Sequence, residues 1–341
     1  MIKPQLFYYP LAGIQSIESL AKHLDIDLDK LTYLLENINS QYIGPIFIKK
    51  SNGGSRPIYR CRPQLKYFLK RLNSKVFKLV HYPNFLYGAL PNKSIYTNAS
   101  QHLNAKVMCN FDIKSYFTTI TFDHVFDIFK NFFHFSTEVS NILATLTTIN
   151  NQVPQGSPCS TYIANLVFYR SEVNVANKLK DKNYVYTRFI DDITVSSQYK
   201  KTKKDIEEVH TIVIGMIRAY KFSLQTEKRS IAPSHKCQIL TVNQINIVKS
   251  NLSISKENRK KIRAAVHELK CNLNDNNIEF VVKNFESVYG RVQYLKNIHI
   301  KEAQGMLKQL EQIRSKILKP LQIYKYRKLK EAIRKKQGYK L

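Results

Sequence analysis

The chain has 341 residues, 43% of them hydrophobic and 23% charged, an ordinary globular balance with length for one large domain or two to three small ones. Its 54 Lys and Arg against 25 Asp and Glu leave a net charge of +29, which calls for a polyanionic partner, nucleic acid before an anionic membrane. No apolar run reaches the length of a membrane span, the start MIKPQLFYYPLAG lacks a signal-peptide pattern, and the five cysteines and nine histidines have no metal-ligand spacing, so we expect a soluble, cytoplasmic protein without a disulfide framework or cysteine-based zinc site.

Residues 1–40 predict a short helical lead, with Ile17, Leu20, Leu24, Leu28, Leu31, Leu34 and Leu35 near helical spacing. Ile46 to Tyr59 reads as a hairpin with a basic tip turning at Gly53-Gly54. Residues 63–80 predict an amphipathic basic helix. Val107-Met108-Cys109-Asn110-Phe111 predicts a buried strand running straight into Asp112, and residues 123–150 predict helices rich in Phe. Val153-Pro154-Gln155-Gly156-Ser157-Pro158 must be a loop, because two prolines and a glycine interrupt any regular element. A helix carrying Ile163, Leu166 and Val167 follows, then a strand–turn–strand over 184–197, a helix over 203–222 and short strands over 237–254. From residue 256 the chain reads as helical and basic, and residues 316–341 hold ten Lys or Arg against the single acid Glu331. There is no internal repeat, and the one composition shift falls near residue 250.

The sharpest feature is Phe189-Ile190-Asp191-Asp192-Ile193-Thr194-Val195, two carboxylates between two β-prone apolar runs. A carboxylate buried without a partner is costly, and successive strand residues face opposite ways, so both acids can share a site only at a hairpin turn. Alone, the pair reads as a solvated Asp-Asp turn, and Asp112 alone reads as a helix N-cap. Together, two neighbouring strands ending in carboxylates would form an oxygen cage for hard divalent ions, and Mg²⁺ favours a few carboxylates plus substrate phosphates. Two such ions about 3.5–4 Å apart clamp the attacking and leaving oxygens of a phosphoryl transfer.

In order along the chain, Phe-Asp-Ile-Lys-Ser-Tyr-Phe at Asp112, Val-Pro-Gln-Gly-Ser-Pro at 153–158, Phe-Ile-Asp-Asp at 189–192 and Gln225-Thr226-Glu227-Lys228 resemble the motifs of reverse transcriptases of the right-hand polymerase type over residues 45–245. Asn98-Ala99-Ser100-Gln101-His102 is similar to the Asn-Ala-x-x-His element of bacterial retron enzymes. Two departures stand out: Phe189 replaces the usual tyrosine of the Asp-Asp box, and Cys237-Gln238-Ile239 stands where retron enzymes often have Val-Thr-Gly.

The resemblance implies an α+β right-hand fold with fingers, an antiparallel palm with helices and a helical thumb. It divides the chain into the N-terminal lead 1–40, fingers 41–105, palm strand 106–122, fingers 123–164, palm 165–245 and basic thumb with tail 246–341. It implies an RNA-directed DNA polymerase with two Mg²⁺ ions, for which Mn²⁺ can substitute, held by Asp112, Asp191 and Asp192. Lys228 would serve as general acid; Arg56 with Lys49 or Lys50, Phe117, Gln155 and Gly156 would bind the nucleotide, and Asn165 would brace the 155–156 loop. Phe117 reads equally as a core ring, and Lys49 and Lys50 as solvated charges.

Asn98 and His102 would contact RNA, or else form a capping Asn and a packed His. Tyr289, Tyr294, Tyr324 and Tyr326, interleaved with basic residues, have the chemistry for backbone tracking and base stacking. The implied partners are a structured noncoding RNA, the RNA–DNA hybrid, dNTPs and a retron effector protein, with no membrane. DNA synthesis would start from an RNA 2′-hydroxyl and yield multicopy single-stranded DNA joined to RNA in an anti-phage system. The alternatives are another bacterial defence or diversity-generating reverse transcriptase and a catalytically idle RNA-binding scaffold.

Overall fold

A four-stranded antiparallel sheet, ordered β4-β5-β3-β6, organises the larger part of the molecule. It joins β3 (Val107–Asp112), β4 (Val185–Phe189), β5 (Asp192–Ser197) and β6 (Ser230–Pro233). The computed structural model describes residues 6–49, 53–225, 230–233 and 240–336. Close packing divides the chain into two units, residues 1–243 and 244–341.

In the first unit the helical lead begins later than expected. Residues 6–16 hold no helix, and Tyr8 bridges to His81 instead. Then come α1 (Ile17–Leu24), α2 (Leu28–Glu36) and α3 (Ile38–Gln41). Side chains set the starts: Ser16 accepts from the Ser19 N–H and Asp27 from the Asp29 N–H, satisfying donors that a first helical turn leaves open. The hairpin of β1 (Tyr42–Lys49) and β2 (Ser55–Cys61) is interrupted by an irregularity in register between Ile43 and Ile46. Next come α4 (Pro63–Lys75) and α5 (Ile95–Ser100), the latter opened by a reciprocal Ser94–Thr97 cap.

Beyond β3 lie α6 (Tyr116–Thr119), α7 (Phe122–Asp127), α8 (Thr137–Thr147), α9 (Ser160–Leu166) and α10 (Glu172–Asp181). The Phe-rich stretch contains a π-helical turn over Ile128–Phe132. It brings Phe129, Phe133 and Phe135 against Phe77 and Tyr9 in one aromatic cluster. Burial of these rings, with Leu65, Phe68, Leu69 and Leu72 of α4, builds a single core. α11 (Lys203–Ala219) covers the sheet with Val209, Val213 and Ile217, and β7 (Leu240–Val242) closes the unit.

The second unit holds the hairpin β8 (Ile245–Val248) and β9 (Asn251–Ser253), then α12 (Lys256–Asn274), α13 (Ile278–Lys296) and α14 (Ile300–Lys336). Its core is one apolar stripe from each helix, represented by Val266, Phe285 and Leu310. Glu302 of α14 pairs with Arg259 and Arg263 of α12 at 3.1 and 3.4 Å. Among the described residues, no helix is long and apolar enough to cross a membrane.

Candidate active site

The site is built on the sheet's alternation. Asp112 of β3 lies directly opposite Asp192 of β5, and Asp192 opposite Phe189 of β4. Directly opposed residues share a face, so Asp112, Asp192 and Phe189 lie on one side of the sheet, followed by Asn110, Thr194 and Thr187 and then Met108 and Ser196. The other side carries Phe111, Ile193 and Val195 with Tyr186 and Arg188, and packs into the core. Like charges placed opposite each other weaken a ladder; the Asp112–Asp192 pair is an arrangement that folding alone does not favour.

Asp191 occupies the two-residue turn between β4 and β5. Its neighbour Ile190 has φ of 59°, a left-handed conformation that is strained for a β-branched residue. Several contacts hold the turn. The Arg188 Nη1 donates to the Ile190 carbonyl at 3.0 Å, and the Ile113 N–H donates to the Asp191 carbonyl at 3.1 Å. Gly88 lies beside it so closely that a Cβ there would sit 2.3 Å from Ile190 Cγ1 and 2.6 Å from Ile190 N. The strand-like segment of Gly88 is tied to β4 by Tyr87 N–H to Arg188 O and Arg188 N–H to Phe85 O, both 2.9 Å.

Arg188 is the centre of this support. It and Glu172 of α10 are both fully buried, with Nε and Nη2 of Arg188 donating to the two carboxylate oxygens at 2.5 and 2.8 Å. Its remaining N–H groups reach the carbonyls of Ala164, Asn165 and Ile190, so all five donors of the guanidinium fork have acceptors. Tyr186 donates to the same Glu172 at 2.8 Å. Sequence reading passed over Arg188 and Glu172. The available signal was a cation in a buried strand, which demands a buried anion.

The polar face is supported separately. Asn243 Nδ2 donates to Asp192 Oδ2 at 3.2 Å, and Asn98 Nδ2 donates to Asn243 Oδ1 at 2.6 Å. His102 hydrogen-bonds Ser196 Oγ through Nδ1 at 2.7 Å and Thr187 Oγ1 through Nε2 at 2.8 Å. Burial lowers its pKa from 6.5 to about 3, so the ring is neutral, with one nitrogen donating and the other accepting. Asn98 and His102 are each 1% exposed. Both are turned inward, and both ring nitrogens of His102 are engaged within the protein, which matches the packed-His alternative and leaves Asn98 bonded to Asn243.

Of the other expected residues, Phe117 lies in α6, Gln155 and Gly156 in the 153–158 loop and Arg56 on β2. Phe117, in α6, is half-buried beside Tyr116, whose hydroxyl donates to Ala164 O at 2.8 Å. The Gln155 carbonyl accepts from the Tyr59 N–H at 2.8 Å, tying the 153–158 loop to β2. Gly156 has φ of 100°, and a Cβ there would lie 2.8 Å from Tyr59 O, so the residue type is required by the approach as well as the backbone. Gln155 Oε1 is enclosed and accepts no hydrogen bond from the described residues. Asn165 does not brace that loop; its Nδ2 donates to Gly88 O at 2.8 Å. Ser160 Oγ bonds Pro154 O and Asn73 Nδ2 bonds Pro158 O, holding the loop instead. Arg56 is exposed on β2 opposite Ile48. Lys50, Lys228 and Cys237-Gln238-Ile239 lie outside the described residues.

Among the described residues, no group of three or more His, Cys, Asp or Glu side chains is gathered closely enough to hold a metal ion, so the expected three-carboxylate cage is not preassembled. The donor set still fits a hard divalent cation. Two half-buried carboxylates on paired positions of one face, with a third in the adjoining turn, match an ion that takes few protein oxygens and completes its shell with phosphates and water.

The family model of reverse transcriptase (RNA-dependent DNA polymerase) matches residues 48–244, which contain the sheet and all three carboxylates. The retron Se72 reverse transcriptase of Salmonella heidelberg is 34% identical over 268 residues, covering 78% of this chain and 70% of that protein. The retron Ec48 reverse transcriptase of Escherichia coli is 29% identical over 317 residues, covering 89% of this chain and 77% of that one. Among solved structures, an apo telomerase from Candida tropicalis, truncated of its C-terminal domain, aligns with a TM-score of 0.42 at 12% identity over 66% of this chain and 60% of that chain. The chain belongs to the reverse transcriptase family, in its retron branch, and is an RNA-directed DNA polymerase with the α+β right-hand fold.

Proposed function

We propose that this chain is the polymerase of a retron. It binds a structured noncoding RNA, begins DNA synthesis at a 2′-hydroxyl of that RNA and leaves multicopy single-stranded DNA joined to it, within an anti-phage system that includes an effector protein. The observation that carries the catalytic part is the Asp112–Asp192 pair at the end of one sheet face, with Asp191 in the adjoining turn.

In this reading Asp112 and Asp191 are the ligands of two Mg²⁺ ions, and Asp192 is a weaker ligand or charge support. Bound divalent ions supply acidification of the primer hydroxyl and neutralisation of charge on the triphosphate. The protein's own groups place the substrate. The planar fork of Arg56 suits a triphosphate, Gln155 and Gly156 bind the incoming nucleotide, and the Phe117 ring refuses a sugar 2′-hydroxyl. Lys50 supports Arg56, and Lys228 gives a proton to the departing pyrophosphate. Within the second unit, the basic helices with Tyr289, Tyr294, Tyr324 and Tyr326 follow the backbone of the RNA or hybrid. The fingers, palm and thumb divide as the motif order suggests, with the palm ending near residue 245.

The test is to express the chain with its native flanking DNA and run the co-purifying nucleic acid on a denaturing gel, with and without ribonuclease. A discrete DNA band that shifts on ribonuclease treatment supports the reading. Asp191→Asn is expected to remove that band and lower primer extension by at least about a thousandfold, the equivalent of losing several kcal/mol of metal-borne charge stabilisation. It should leave RNA affinity near wild type. RNA without attached DNA from the wild-type chain would refute the retron assignment, and extension by Asp191→Asn would refute the site.

A further inference from the structure

The Asn98-Ala99-Ser100-Gln101-His102 element is directed into the protein, beside the sheet face that carries Asp192. Asn98, inside α5, is sealed from solvent and donates to Asn243 Oδ1 at 2.6 Å. An amide has one oxygen and one nitrogen end, so engaging the oxygen commits the Asn243 NH₂ to the opposite direction, where it donates to Asp192 Oδ2 at 3.2 Å. Asn243 has φ of 47°, a left-handed conformation that Asn tolerates better than most residues. One helical turn-length away in sequence, His102 joins Ser196 of β5 to Thr187 of β4, on the same sheet face as Asp192.

We propose that Asn98 and Asn243 form an amide relay that orients the Asp192 carboxylate, and that the Asn-Ala-x-x-His element is thereby a positioning device for the catalytic hairpin. This rests on the catalytic reading of Asp192 given above. Asn98 sets which way Asn243 faces, and Asn243 fixes one carboxylate oxygen. His102 keeps β4 and β5 in register beneath them. None of these three side chains touches substrate; they act through Asp192.

The experiment uses the full chain with its RNA and compares Asn98→Ala, Asn243→Gly and their double variant, with Asp192→Asn as reference. Asn243→Gly keeps a residue suited to the left-handed backbone and leaves the sheet intact, so it stands even where Asn98→Ala folds poorly. Outer-shell partners of metal-ligating groups are typically worth ten- to a hundredfold in metal affinity or activity. Each single variant is therefore expected to lower kcat about tenfold and to weaken Mn²⁺ binding, read by electron paramagnetic resonance, by about the same factor. KM for dNTP and the Kd for RNA should stay unchanged. Because the two amides act in series, the double variant should be no worse than Asn243→Gly alone.

Wild-type kcat and Mn²⁺ affinity in Asn243→Gly, with Asp192→Asn inactive, would overturn the relay while sparing the catalytic reading. Weakened RNA affinity with unchanged kcat would overturn it in favour of an RNA contact. Full activity in Asp192→Asn would overturn the catalytic reading and the relay with it.

Discussion

Two hairpins of the first unit are held in the molecule in opposite ways. The β1–β2 hairpin stands largely in solvent: Phe47 and Ile48 are 64% and 51% exposed, and Arg56 is free of the core. Its anchorage is at its base, where Tyr59 donates to Gln155 and Gly156 admits the close approach. The β4–β5 hairpin is gripped on both faces, by Arg188 and Glu172 from the core side and by His102 and Asn243 from the polar side. The difference fits the proposed roles: a group that is to bind a triphosphate needs charge and reach, whereas carboxylates that are to organise reacting atoms need fixed geometry, because small displacements there are costly in rate. A strained Ile190 persists because its surroundings over-determine it.

The comparison breaks most visibly at Arg188. Arg188→Met leaves Glu172 buried without its cation and the Ile190 carbonyl without its donor. The expected loss is about 3–5 kcal/mol, read as a fall in Tm. Adding Glu172→Leu should restore most of that stability, since apolar replacements of buried pairs are often neutral or better. It should not restore kcat, because the turn stays unclamped. Recovery of kcat in the double variant would show that the pair serves folding alone.

Arg56→Ala probes the other hairpin. Losing a charged hydrogen bond to phosphate is expected to cost about 1.5–3 kcal/mol of nucleotide binding, roughly ten- to hundredfold in KM. Tm should not move, because the side chain is exposed. A matching fall in Tm would erase the contrast between an adaptable hairpin and a fixed one.

The smallest effect is a pH dependence beneath the catalytic hairpin. Burial depresses the His102 pKa from 6.5 to about 3, so the unfolded chain takes up a proton that the folded chain refuses. The stabilisation is complete above pH 6.5 and is lost as pH falls toward 3, with a slope of up to about 1.4 kcal/mol per pH unit. His102→Asn should flatten the Tm profile between pH 7 and 5. An unchanged slope would mean that other groups carry it.

Much of the chemistry was legible because it is local. Asp191 and Asp192 lie between two apolar runs, and Asp112 follows a third, so period-2 alternation already put carboxylates at strand ends. The Pro-bounded loop at 153–158 and the hairpin at 46–59 were readable from the residues that terminate regular structure. The sequence by itself therefore determined the β3, β4 and β5 strands, their order and the placing of Asp112, Asp191 and Asp192 at their ends. Tertiary structure alone decided which distant groups complete them. Glu172 meets Arg188 across a helix–sheet contact, Asn243 reaches Asp192 across 51 intervening steps of chain, and Asn98 lies 145 positions from its partner. Periodicity states which face a residue takes but not what stands opposite, and a buried polar group is satisfied by whatever the fold brings within hydrogen-bonding distance. For that reason the spacing of Asn98 and His102 left an RNA contact and a packed pair equally open, and Arg188 reads in the sequence as one more strand residue.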